Sequence, residues 1–372
     1  MKVPGLTLSP WHRVVIVGAF AACASAVTPA LTWAQDVGAE QRAESIGWSM
    51  ESPEQRGNGT AVQLTIESHW GAHSTSSWSN DRSISELQGL SAGQLSGQTQ
   101  PVRFAMVKEA GRLDCAGNAG RGRGKGVCSF TPDPGFATFL EARQIGRPNR
   151  RQSFSMTMSG VDRDLVDALE KSGFQRASVD QLTDIGIHGA TPAYVRALGQ
   201  LGYHLAAQDL IDFLIHGVSP EEIREMATIG PALQRISPRG LVDLKIHGVA
   251  PSYVREMAAI DPSLRNVTAE NLVAMAIHGV TPGLARAYVQ YEGGALGSDD
   301  LVSMAIHGVT PEYLQQLAAL GYRDIAADDL VNMAIHDVSP EFVSQLNRAG
   351  MAHLSAQQLV RLRLSGFDPG QR

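Results

Sequence analysis

Two hydrophobic periods divide the chain. Between residues 45 and 140 apolar and polar residues alternate. Val62, Leu64 and Ile66 fall on one side of "AVQLTIES", and Val102, Phe104 and Met106 on one side of "PVRFAMVKE". Leu113 with Cys115, and Cys128 with Phe130, continue the alternation. A period of two belongs to strands with one buried face. This region is therefore expected to be a small antiparallel β-sandwich or barrel. From residue 158 the period becomes helical. In "VTPEYLQQLAALGY", Leu314, Leu317 and Leu320 share a helix face, and Gly321 ends the helix. In "SDDLVSMAIHG" the apolar side is read as Leu301, Ala305 and Ile306.

The helical part is a repeat. The phrase Ile-His-Gly-Val-x-Pro, or a near copy, places histidines at His188, His216, His247, His278, His307 and His336, spaced by 28, 31, 31, 29 and 29 residues. Gly189, Gly217, Gly248, Gly279 and Gly308 follow the first five. Pro192, Pro220, Pro251, Pro282, Pro311 and Pro340 close the six phrases. One more step of 29 reaches "LSGFDP", with Ser365 in the histidine's place, and one step back reaches "MSGVDR", with Ser159. The array is therefore expected to run over 158–368 as about seven two-helix repeats. Its end copies are atypical, as in a stack whose outer faces meet water. The fold class is thus multi-domain: a β-rich domain over 45–140, a basic polar linker over 141–157, and an all-α solenoid.

The phrase has the chemistry of a rigid helix-to-helix turn. Gly308 ends one helix in a left-handed conformation, Thr310 caps the next, and Pro311 takes the first helical position, where its missing N–H costs nothing. Ser298 is expected to cap the helix before it. Ser178 with Gln181, and Ser355 with Gln358, fit capping boxes, and Ser237 precedes Pro238 at another helix start. The phrase never changes length, whereas the other loop varies, as in "GPALQRISPRGL" and "DPSLRNVTAENL". Partner specificity is expected on that variable edge and on the concave face. One imidazole per repeat raises the question of metal binding. Stacked helices stand roughly 8–10 Å apart, while zinc needs each nitrogen at about 2.0–2.1 Å. No metal site is expected. The imidazoles are read as partners of the last carbonyls and of the negative helix end. A collective response to pH is the remaining reading.

Composition sharpens the division. The first 155 residues hold 15 Lys/Arg against 12 Asp/Glu, and the rest hold 16 against 25, out of 31 and 37 in the chain. A net of +3 followed by −9 argues against polyanion binding by the array. Lys2 and Arg13 precede the apolar run "VVIVGAFAAC", which reads as a secretion signal over 1–34 with cleavage after Ala26 or Ala34. Alternatively Cys23 is the lipidated first residue of a lipoprotein, the one membrane attachment expected. The chain is expected to be exported, either periplasmic or secreted. In an oxidising compartment Cys115 and Cys128 read as a disulfide across a hairpin, with "AGNAGRGRGKGV" between them as a Gly-rich loop.

Candidate chemistry is sparse. There is no HExxH, no GxSxG and no GxGxxG after a strand, so no catalytic residue and no cofactor are expected. "GRGRGKG" (Gly120 to Gly126) lacks the residues of a phosphate-binding loop and reads as a basic hairpin tip, able to meet anionic lipid, glycan or an acidic partner. His69 and His73 in "HWGAH" lie in strand or loop, where their spacing does not face a metal. Trp48, Trp70 and Trp78 are either core or a stacking platform for sugar or peptide.

At "IHGVTPEYLQQLAALGY" the units resemble repeats of bacterial envelope proteins, including the C-terminal regions of some membrane metallopeptidases of the β-lactam-sensor type. The likeness covers most of 158–368. The "ISELQGLSAGQL…PVRFAMVKEAGRLDCAG" stretch is similar to a β domain that accompanies such repeats in bacterial proteins. The HExxH and membrane helices of those peptidases are missing here, so the resemblance carries over no catalytic residue. It implies an exported or periplasm-facing recognition array, in envelope sensing. The expectation is a non-enzymatic scaffold with a protein partner. The alternative is a glycan- or peptide-binding sensor or accessory domain acting through the β part. Helix-hairpin-helix contact with nucleic acid ranks below both, because Lys and Arg do not follow the turns.

Overall fold

The computed structural model describes residues 45–52, 61–70, 74–292 and 297–368. The expected secretion signal, Cys23 and His73 lie outside the described residues. The chain divides after Arg196 into two compact units.

The first unit begins with six strands: β1 (Ser45–Glu51), β2 (Ala61–Trp70), β3 (Ser74–Ser83), β4 (Gln100–Lys108), β5 (Gly111–Gly120) and β6 (Arg123–Pro132). They form one antiparallel sheet in the order β3-β2-β1-β6-β5-β4. The alternation read from the sequence sets the buried face. Val62, Leu64, Ile66, Val102, Phe104, Met106, Leu113 and Phe130 are all buried. The region is the antiparallel β domain expected; its sheet is a single layer, and among the described residues nothing pairs β3 with β4.

The missing layer is supplied in part by a helix. After the short α1 (Ala92–Ser96) come α2 (Pro134–Ala142), α3 (Arg150–Ser159), α4 (Arg163–Lys171) and α5 (Val179–Ile187). Helix α3 falls largely in the stretch expected to be a linker. Its Phe154 is fully buried, with its ring centroid 5.2 Å from that of Trp70 and 5.4 Å from that of Phe130. Met158 joins the same core. Burying one such side chain contributes about 1.5–3 kcal/mol. The linker reading is corrected: α3 covers the sheet and also packs on α5 as the first helix of the repeat.

Cys115 and Cys128 stand opposite each other on β5 and β6 and are bonded. A bridge closing a loop of this size stabilises by about 3 kcal/mol. The expected glycine-rich loop shrinks to a two-residue turn, Arg121–Gly122, with φ of 53° and 77°. Its remaining glycines belong to strands. A Cβ on Gly126 would lie 2.6 Å from Trp48 Nε1, and one on Gly117 would lie 2.7 Å from Trp48 Cζ2. The indole of Trp48 fills the space those absent side chains leave, and its N–H donates to the Ala116 carbonyl at 3.2 Å.

The array continues with α6 (Pro192–Gln200), α7 (Ala207–His216), α8 (Pro220–Ile229), α9 (Pro238–Ile246), α10 (Pro251–Ile260) and α11 (Ala269–Ile277). It ends with α12 (Pro282–Glu292), α13 (Ser298–Ile306), α14 (Pro311–Ala319), α15 (Ala327–Ile335), α16 (Pro340–Arg348) and α17 (Ala356–Leu364). In the second unit, α7, α9, α11, α13, α15 and α17 pack in succession, and α8, α10, α12, α14 and α16 form a second row. Tyrosines tie neighbouring copies together. Tyr253 Oη donates to the Val280 carbonyl at 3.0 Å, and Tyr313 Oη to the Val338 carbonyl at 2.9 Å. Burial pushes both phenols up to about 12. One expected cap is displaced. Ser298 is the first helical residue of α13, Gly297 holds the cap position, and the Ser298 hydroxyl accepts from Asn271 Nδ2 at 2.8 Å.

Candidate interaction surface

Each phrase folds as the same turn. At the end of α13, His307 is the C-cap and Gly308 is left-handed, with φ of 77°. The Val309 N–H donates to the Met304 carbonyl at 2.9 Å, and the Gly308 N–H to the Ala305 carbonyl at 3.4 Å. These are the two bonds of a Schellman motif, completed by burial of Val309 and Met304. Thr310 then caps α14, accepting from the Tyr313 N–H at 3.2 Å. Gly189, Gly217, Gly248 and Gly279 repeat the left-handed turn, and Asp337 does so in the sixth copy, with φ of 53°. Pro192, Pro220, Pro251, Pro282, Pro311 and Pro340 each begin a helix.

This turn changes the reading of the histidines. The helix-end carbonyls they were expected to cap are taken by backbone N–H groups. His188, His216, His247, His278 and His307 are exposed, and His336 is half-buried. Among the described residues no three His, Cys, Asp or Glu side chains come together as metal ligands would.

The residue before each histidine carries the signal that sequence reasoning missed. Ile306 was assigned to the apolar side of its helix, but it is 52% exposed. Leu301 and Met304 are the residues that face the core. A helix turns about 100° per residue, so two positions beyond Met304 lies roughly 200° away from the core. That arithmetic, applied to every copy, would have found the row. Ile215, Ile246, Ile277, Ile335 and Leu364 are 53%, 53%, 55%, 53% and 64% exposed. Because their helices pack in succession, equivalent side chains stand about 8–10 Å apart. A single exposed isoleucine needs no explanation. Six at one repeat position form an ordered apolar stripe.

Two earlier copies show what covers this position. Met158 stands in the place of Ile306 and is buried in the core of the sheet. Ile187, in the next copy, is half-buried and packs against the same core.

The row of α8, α10, α12, α14 and α16 presents a different surface. Arg255 pairs with Glu225 and Arg286 with Glu256, each reaching back one repeat. These four charges engage one another from copy to copy.

In the β part, Trp48 and Trp78 are buried and Trp70 packs on Phe154, so the three indoles form no open platform. The outer face of the sheet has a hollow of about 570 Å³ floored by Gly47, Gly117 and Gly126 and flanked by Glu67, Asn118 and Lys125. His69, the penultimate residue of β2, is exposed. Among the described residues no single helix is long and apolar enough to cross a membrane.

Scanning the chain against protein-family models gives no match, and a search of curated proteins gives none either.

Proposed function

We propose that this chain is an exported, non-enzymatic scaffold that binds a protein partner along its repeats, with the isoleucine row as the contact. The carrying observation is the regular exposure of Ile215, Ile246, Ile277, Ile306, Ile335 and Leu364 at one position of the repeat. The site is the edge bearing the constant turn, not the variable loops or a concave face. The partner presents an apolar surface, because the equivalent Met158 and Ile187 are met by the apolar core of a sheet. Lysine is the sharpest substitution, since a cation suits the end of a helix while removing the apolar contact.

Export is supported by the disulfide of β5 and β6, which belongs to an oxidising compartment, and by the apolar N-terminal run. A role in envelope sensing follows from the resemblance of the repeats. The second reading, a glycan or peptide on the β part, has the glycine-floored hollow in its favour, but the buried tryptophans count against it.

The test is affinity capture from periplasmic and membrane extract with the full chain and its I277K/I306K/I335K variant, using cross-linking and mass spectrometry. The expected result is a partner held by the wild type and lost by the variant at unchanged melting temperature. Equal capture by both would remove the row from the function.

A further inference from the structure

The third helical position of α6, α8, α10, α12, α14 and α16 is occupied by Tyr194, Glu222, Tyr253, Leu284, Tyr313 and Phe342. Four copies hold an aromatic ring there, one holds leucine, and one holds a carboxylate. In the tyrosine copies of the second unit the ring lies half-buried at the edge of the stack, with its hydroxyl on the next turn's valine carbonyl. The residue one before the exposed isoleucine of the following copy is Ala276 after Tyr253 and Ala334 after Tyr313.

The copy with Glu222 departs from this at both places. Lys245 replaces the alanine, and its Nζ lies 2.9 and 3.0 Å from the two carboxylate oxygens. The same carboxylate is drawn toward the start of α8, accepting from Ser219 Oγ at 3.2 Å. Beside the pair lies an unfilled space. It is a cavity of about 120 Å³ walled by Ile223, Met226, Leu241 and Leu244, with Glu222 and Lys245 themselves also in its lining. Its rim includes Gly248 and Ala250, both exposed, so it opens to solvent beside Ile246. The volume is of the same order as the apolar cavity of about 150 Å³ that takes up benzene, and the open rim leaves room for a ring's polar end.

We propose that this cavity receives a tyrosine side chain presented by the protein partner, its ring in the apolar pocket and its hydroxyl donating to the Val249 carbonyl. Tyr253 with Val280 and Tyr313 with Val338 show the geometry that the incoming residue would repeat. The pocket rests on these contacts alone; the assignment of the tyrosine to a partner rests on the scaffold reading above.

The test uses the full-length protein and ligand-observed NMR with p-cresol, N-acetyl-L-tyrosinamide and N-acetyl-L-phenylalaninamide. Two variants fill the pocket with the chain's own solutions: E222Y/K245A, after Tyr253 and Ala276, and E222L/K245A, after Leu284 and Ala305. The variant K245A leaves it open. The expected result is saturable binding of p-cresol and the tyrosinamide to wild type and K245A, weaker binding of the phenylalaninamide, and loss of binding in whichever filled variant folds. Absence of binding to the wild type, or binding kept by a folded filled variant, would overturn the pocket. Binding of p-cresol without the tyrosinamide would overturn the tyrosine. None of these outcomes depends on the I277K/I306K/I335K capture, so the pocket and the scaffold can fail separately.

Discussion

Met158 and Ile306 hold the same place in the repeat and have opposite surroundings. Both stand at the end of a helix, before a left-handed glycine and a buried valine. Met158 is 4% exposed in the core of the sheet, whereas Ile306 is 52% exposed. The local turn is shared, so it does not decide burial. What decides it is whether another apolar surface lies over the position. The repeat thus places an apolar side chain at this position in copy after copy, and in the first two the chain's own sheet covers it.

The largest expected effect breaks this pair apart. Met158→Ala removes a buried side chain and should cost about 2–5 kcal/mol of stability. Ile306→Ala, on an open surface, should stay within about 0.5 kcal/mol. Urea melts of the two variants measure the difference. Comparable losses would mean that Ile306 already supports the fold, and the row would cease to be a free surface.

Much of this architecture was legible because it is local. The capping boxes at Ser178 and Ser355, the proline starts and the left-handed glycines need only a few consecutive residues, and the structure contains them. The facing cysteines followed from alternation on two adjacent strands. Three features were hidden for physical reasons. Helix α3 reads as polar because Ser153 and Thr157 are buried with their hydroxyls bonded to their own helix, to the Asn149 carbonyl at 3.0 Å and the Ser153 carbonyl at 2.8 Å. The glycines around Arg121 read as loop because their purpose, making room for the Trp48 indole, depends on a strand distant in sequence. Ile306 read as core because an apolar identity was taken for a buried one. The departure at Glu222 and Lys245 could be found by aligning the copies, but the cavity beside them depends on how the helices pack.

The next effect concerns what the two positions share. Gly308→Val places a β-branched residue at a φ of 77°, at a cost of about 1–2 kcal/mol. Gly308→Asp should cost less than half as much, because Asp337 already holds this conformation in the sixth copy. Thermal melts rank the two variants. Equal losses would mean that the side chain's tolerance of a left-handed backbone is not what the turn selects.

The smallest expected effect tests the other row of helices. Arg255 and Arg286 pair with carboxylates of the preceding repeat, and their side chains are 56% and 49% exposed. Exposed pairs contribute about 0–1 kcal/mol each. The R255A/R286A variant should therefore melt close to the wild type, and raising the salt to screen these pairs should move the wild type little. The sharper readout is partner capture. If the isoleucine row is the contact, R255A/R286A retains the partner that I277K/I306K/I335K loses. Loss of the partner in the arginine variant would move the contact to the charged row. The first two copies would then owe their cover to the nearness of the sheet along the chain, and not to a property that every copy carries.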